Sequence, residues 1–270
     1  MTETFAELEF REWSNAAIAT AYARDFGTAS ELCTPALAQV AAPGRAVLDL
    51  CCGHGIVAAA LCAAGAKVTA VDFSAAMLEL AAARAPAAQV MQADAMALPF
   101  EAGDFDAVTI GFGIPHVPDP EQVFAECARV LKPGGQLAYS VWHGAEKVTA
   151  LAAVFQAISR HGDPTIALPP GPGANDYAQP EIAFPALARG GFSDCRLTTI
   201  ESYWTSGEAD APVRFFLEGT ARGGYLLRAQ DAAAMAAIRA DVADWVRATC
   251  GATPPWAIPI PAAVITARRV

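Results

Sequence analysis

The sequence has no uninterrupted apolar run of about 20 residues, the length that crosses the hydrocarbon of a bilayer, so no membrane-spanning helix is expected. It has no run of Lys or Arg either: 18 basic residues stand against 28 acidic ones, a net charge of −10. An acidic surface repels phosphate backbones, which argues against nucleic acid as a partner. The seven cysteines (33, 51, 52, 62, 127, 195 and 250) are odd in number and scattered, with no CxxC or Cys/His spacing. That pattern argues against a zinc site and predicts small buried thiols in a reducing compartment. The acidic first ten residues lack the basic-then-apolar order of a secretion signal, so a soluble cytoplasmic protein is expected. No internal repeat or low-complexity tract is visible, and 270 residues suffice for one large domain or two small ones with a full core.

What is present is concentrated in residues 46–55, which read Ala-Val-Leu-Asp-Leu-Cys-Cys-Gly-His-Gly. A short apolar run, a glycine-bearing turn and the Ala-rich stretch that follows predict a buried strand, a tight turn and a helix, the opening of a βαβ unit. Gly53 and Gly55 let the backbone turn sharply and let a ligand lie against it. The loose match to G-x-G-x-x-G/A is weak evidence for a dinucleotide. Three acids sharpen the reading. Asp49 sits at the end of the first strand, Asp72 ends the run 68–72 at the spacing of a ribose-binding acid, and Asp94 ends the run 90–94. Asp49 beside the loop disfavours a pyrophosphate and favours a ligand that carries an ammonium and a sulfonium.

Four motifs carry a family resemblance: Val47-Leu-Asp-Leu-Cys-Cys-Gly-His-Gly55, Val71-Asp-Phe-Ser-Ala-Ala-Met-Leu78, Ala93-Asp-Ala-Met-Ala-Leu-Pro-Phe100 and Leu131-Lys-Pro-Gly-Gly135. In this order and spacing they resemble class I S-adenosylmethionine-dependent methyltransferases, over roughly residues 13–143. Cys51 departs from the family's usual glycine, although Cys-Cys-Gly is similar to the ubiquinone and menaquinone C-methyltransferases. The resemblance implies a doubly wound, mostly parallel α/β sheet of seven strands, Rossmann-like, with helical lid insertions. It also implies S-adenosylmethionine as cofactor, held by Asp49, Cys51, Gly53, His54, Gly55 and Gly111 around the loop. Asp72 would bind the ribose, Phe73 and Met77 would pack on the adenine, and Asp94, Ala95 and Met96 would meet its edge. Tyr22, in an N-terminal helical arm, would cover the methionine end.

Along the chain, residues 12–24 and 30–42 read as helices stopped by Pro43-Gly44, with Trp13, Ile18, Tyr22 and Phe26 at helical spacing. Ser74 reads as the N-cap of a helix over 75–85, and Asp119-Pro120 as the start of another that runs to about 131. Strands are expected over 105–110, 136–141, 193–202 and 262–268, and the family resemblance implies that the last two form an antiparallel pair. Helices are expected over 145–159, 181–189, 213–219 and 231–249, and 162–180 is a Pro- and Gly-rich loop. The organisation is one domain: an arm (1–44), a cofactor core (45–143) and a substrate-side half (144–270). Its insertion, about 207–258, together with 163–180, is expected to form a lid over an apolar pocket.

His116, in the loop 111–118, is the candidate general base, and His143 after the fifth strand is a weaker one. His54 reads as a residue that positions backbone, His161 as a helix end. The function that follows is methyl transfer to a small, largely apolar acceptor of quinone or secondary metabolism. Pro115-His116 replaces the Arg-Asn usual in the quinone enzymes, and the late insertion is untypical of them. Two other classes stay open: S-adenosylmethionine binding without methyl transfer, as a regulatory module or a scaffold for a cyclisation, and a nicotinamide-dependent oxidoreductase.

Overall fold

The computed structural model describes residues 3–143 and 149–270. Its strands, in chain order, are β1 (Ala46–Leu50), β2 (Lys67–Asp72), β3 (Gln89–Gln92), β4 (Phe105–Gly111), β5 (Leu131–Trp142), β6 (Phe192–Ile200), β7 (Tyr203–Ser206), β8 (Trp256–Pro259) and β9 (Ala262–Arg269). Seven of them form one sheet in the order β3-β2-β1-β4-β5-β9-β6. Neighbours from β3 to β5 are parallel, and β9 runs antiparallel to both β5 and β6. The expected seven-stranded, doubly wound sheet is therefore present. The order reverses between β1 and β4, which opens a crevice at the carboxyl ends of those strands.

The chain divides into two compact units. The sheet unit comprises 30–143, 171–200 and 262–270. Parallel strands covered by helices on both faces must be apolar throughout, and Val47, Leu48, Leu50, Val71, Val108 and Ile110 are almost completely buried. Ser74 caps the helix Ala75–Arg84, its hydroxyl accepting from Met77 N at 3.2 Å, and Asp119 caps Pro120–Val130 through Gln122 N at 3.1 Å. The Pro- and Gly-rich stretch expected to join a lid is shared out at residue 170. Tyr177 and Ala178 belong to the buried core of the sheet unit, where the Tyr139 hydroxyl donates to Tyr177 O at 3.0 Å.

The helical unit comprises 1–29, 144–170 and 201–261. Its interior is aromatic. Trp204, 1% exposed, lies edge-on to Phe26 and Phe215 with ring centres 5.0 Å apart in each case. Tyr22 stacks on Phe26 at 5.1 Å and meets Trp13 edge-on at 5.2 Å. Ion pairs add to this core: Arg222 binds the buried Glu9 at 2.6 Å, Trp13 Nε1 donates to the same carboxylate at 2.9 Å, and the exposed Arg228 binds the buried Glu12.

Several elements differ from expectation. The helix expected over 12–24 breaks at Ser14-Asn15 into Phe5–Trp13 and Ala16–Asp25, because Asn15 caps the second helix by accepting from Ala17 N at 2.9 Å. Residues 30–42 hold Thr34–Leu37 and a 3-10 turn, Ala38–Val40, rather than one helix. Pro35 has no N–H to continue a preceding turn and starts a new one. The helix expected from 145 begins at Ala150, and residues 145–148 lie outside the described residues. The 207–258 region holds three helices, Ala211–Gly219, Ala221–Arg228 and Ala232–Cys250, and β7 pairs with β8 in a separate two-stranded sheet. The middle helix contains Gly223-Gly224, poor helix formers. A Cβ on Gly223 would lie 2.7 Å from Phe216, so close packing of two helices explains the glycine. No described helix is long and apolar enough to cross a membrane.

Candidate functional site

The loop after β1 carries three left-handed residues: Cys51 (φ 52°), Gly53 (φ 52°) and Gly55 (φ 80°). The two glycines do different work. A Cβ on Gly55 would sit 2.7 Å from the backbone of Ala81, so Gly55 lets the helix Ile56–Ala63 close on Ala75–Arg84. Around Gly53 nothing lies within 4 Å of that position, which leaves its face open to a ligand.

Asp72 fastens this loop. Its Oδ2 accepts from Gly53 N and its Oδ1 from Ser74 N, both at 2.9 Å. Burial raises its pKa, while backbone N–H groups and the nearby His116 pull it back. Asp49 is fully buried. Thr109 Oγ1 donates to its Oδ1 at 2.8 Å, and its Oδ2 finds no hydrogen-bond partner among the described residues. Burial is the main cause that pushes its pKa up to about 7, with the Asp72 charge adding to it. Its charge therefore changes close to neutral pH. Asp94 lies exposed after β3 and accepts from Met96 N at 2.8 Å. That bond occupies the Met96 N–H. Met77 is buried at the β2 corner, and Gln92 Nε2 donates to Phe73 O at 2.7 Å, holding that turn.

Beyond β4, Phe112 is a second non-glycine residue with a left-handed backbone (φ 59°). Its ring stacks on Trp142 at 4.0 Å, and its N–H donates to Ser140 O at 3.1 Å. Such strained positions persist only where the surroundings enforce them. A 3-10 turn, Ile114–His116, follows and leaves His116 half-buried. His54 is buried, and burial lowers its pKa to about 4, so it is neutral in the physiological range. The buried surroundings of Cys51 push its thiol pKa well up, which keeps the thiol protonated.

The sheet unit thus brings Asp49, Cys51, Gly53, Gly55, Asp72, Phe73, Met77, Asp94, Ala95, Met96, Gly111 and His116 to the carboxyl ends of β1 to β4. His143 follows β5, with a buried Nδ1 that has no partner among the described residues. Tyr22 belongs to the helical unit, in its aromatic core. Sequence reasoning missed the residues that hold the 93–100 loop in place. Arg129 donates to Leu98 O at 3.0 Å and to Phe100 O at 2.6 Å, while Glu126 accepts from Leu98 N at 2.7 Å. Their only sequence signal was an i, i+3 acid–base pair on a helix, which reads as a solvated face.

This strand-end geometry has known counterparts. Residues 48–139 match the family model described as a methyltransferase domain. Over this stretch the chain is similar to methyltransferase domains. A demethylmenaquinone methyltransferase from Renibacterium salmoninarum is 45% identical over 97 residues, 36% of this chain and 41% of that protein. The chain spans about two-fifths of the length of the curated relatives it matches. Among solved structures, phosphoethanolamine N-methyltransferase 2 of Haemonchus contortus, in complex with S-adenosyl-L-methionine, aligns with a TM-score of 0.59 at 18% identity, over 99% of this chain and 60% of that one. The [4+2]-cyclase SpnF aligns with a TM-score of 0.53 at 19% identity, over 88% of this chain and 80% of that one. These two structural likenesses establish the fold shared with the methyltransferase domain.

Proposed function

We propose that the chain binds S-adenosylmethionine at the glycine loop and transfers its methyl group to a small, largely apolar acceptor, of quinone type or from secondary metabolism. The observation that carries the reading is the Asp72 clamp. One carboxylate fixes the loop through Gly53 and keeps lone pairs for two ribose hydroxyls, beside a glycine whose outer face is open. The donor set fits the cofactor elsewhere too. Asp94 accepts from an amino-purine edge, and because Met96 N–H is engaged, Ala95 N–H is the donor to the ring. The unpartnered Asp49 oxygen under the loop favours a cation above it.

When bound, the cofactor supplies a methyl group already attached to a good leaving group. The protein's work is to orient the acceptor and exclude water. His116, at the loop beside Asp72, takes the proton from an acceptor hydroxyl or acidic carbon. Quinone-ring chemistry is supported by the demethylmenaquinone methyltransferase relative, which matches 36% of this chain.

Calorimetric titration with S-adenosylmethionine, S-adenosylhomocysteine and NAD tests the cofactor. Micromolar binding of the first two without the third is expected; binding of NAD alone refutes the reading. A second reading, cofactor binding without transfer, is favoured by the likeness to a cyclase, since one fold serves several chemistries. Release of S-adenosylhomocysteine in the presence of an acceptor separates the two.

A further inference from the structure

Gly113 lies just past the end of β4, at the N-cap of the turn that carries His116. Its backbone is right-handed helical (φ −81°, ψ −33°), a conformation open to every L-residue. Glycine is therefore not required there by backbone geometry. It is required by space. A Cβ on Gly113 would fall 2.3 Å from Cys51 Cβ, 2.9 Å from Cys51 Sγ and 3.1 Å from Ile110 Cγ2. The first of these cannot be relieved by rotating a side chain, since Cβ is fixed to the backbone. On the other side of the contact, Cys51 has the left-handed backbone (φ 52°) that glycine tolerates best, yet it carries a side chain. The space between the two loops thus holds one β-carbon, and this chain places it on residue 51.

We infer that Gly113 is a positioning residue: through the Cys51 β-carbon it sets the distance between the glycine loop and the His116 turn. This rests on the cofactor reading above. The two loops carry different parts of the site, Gly53 with its Asp72 clamp on one and His116 on the other. A backbone-to-Cβ stop holds their separation without a flexible side chain. It also explains why two non-glycine residues with strained backbones, Cys51 and Phe112, sit on facing loops: each loop is held in register by its neighbour.

A four-variant cycle tests the inference on the full chain: the unaltered protein, Gly113→Ala, Cys51→Gly and the double variant. Each is titrated with S-adenosylmethionine well below its melting temperature, and each is melted without ligand. Gly113→Ala in the Cys51 background is expected to weaken cofactor binding about tenfold or more, as overpacking of a rigid contact does. In the Cys51→Gly background the same substitution is expected to change affinity by less than about threefold, because the opposing β-carbon is gone. Cys51→Ala keeps that carbon and removes only sulfur, so it should not rescue Gly113→Ala. Equal losses in both backgrounds, no loss in the first, or rescue by Cys51→Ala would each overturn the inference. If Gly113→Ala fails to fold, recovery of folding by Cys51→Gly supports the contact, and continued failure refutes it. If the unaltered chain binds no S-adenosylmethionine, the cofactor reading falls, while the ligand-free melts still decide whether the two β-carbons exclude each other.

Discussion

The sheet unit and the helical unit are built on opposite plans. In the sheet unit, each candidate site residue lies near or just beyond the end of a strand, and the strand, turn and helix around it are contiguous in sequence. In the helical unit, three distant segments are joined by aromatic rings and by charges that meet across long stretches of chain, as Arg222 and Glu9 do. The first plan leaves local motifs, and the matching methyltransferase domain falls inside it. The second leaves none. A cofactor is one fixed molecule with a recurring grip, whereas acceptors vary, so under the proposed function the readable half is the one that would bind what is common.

The sharpest way to break this contrast is His116→Ala. Proton removal is worth about 100- to 10,000-fold, so turnover, measured as S-adenosylhomocysteine released with an accepted substrate, is expected to fall by that order while cofactor affinity stays nearly constant. Unaltered turnover would reduce His116 to a shape of the loop. Next comes Glu9→Ala in the helical unit. It removes the carboxylate paired with the largely buried Arg222 and the acceptor of Trp13 Nε1, at an expected cost of about 3–5 kcal/mol in urea unfolding. A loss near zero would mean that charges do not hold that unit together.

Asp72→Ala removes the clamp and the ribose acceptor at once. Affinity for S-adenosylmethionine should drop about 10- to 100-fold by calorimetry, and intact affinity would remove the proposed placement of the cofactor. Asp49→Asn gives a smaller effect with a definite sign. In the folded chain Asp49 keeps its proton up to about pH 7, and in the unfolded chain only to about pH 4. The folded state therefore binds more protons between those values, and the residue costs stability progressively as pH rises through that window. Asparagine keeps an acceptor for Thr109 and carries no charge. Its stabilising effect should be near zero at pH 4 and reach about 1–4 kcal/mol by pH 8, since each tenfold difference in proton affinity between the two states is worth about 1.4 kcal/mol. An equal effect at both pH values would show that Asp49 does not titrate in this way.

The strand end at Asp72, the places of Asp49 and Asp94 within two residues of strand ends, and the caps at Ser74 and Asp119 were legible because each is set by neighbours within a few residues. The antiparallel pairing of the last strand followed from the family resemblance alone. What escaped the sequence was decided by distant partners. Asn15 ended a helix that periodicity would have continued, since its side chain competed for the backbone. Gly223-Gly224 are poor helix formers, and the glycine at 223 is explained only by Phe216 on the preceding helix. Arg129 and Glu126 looked like a surface pair, yet they hold the Asp94 loop from 28 to 31 residues away. Cys51 stood out only as an unusual residue; its meaning lies at Gly113.

The place of β9 has a consequence for the order of assembly. It fills the gap between β5 and β6, so the sheet is completed by a strand that the ribosome makes after both of its neighbours. Until residues 262–269 arrive, β5 and β6 each present an open row of N–H and C=O groups, the arrangement that recruits foreign strands. A nascent chain halted during the helical segments that precede β9 therefore carries two adhesive edges at once. Its solubility during synthesis depends on how fast the final strand is delivered.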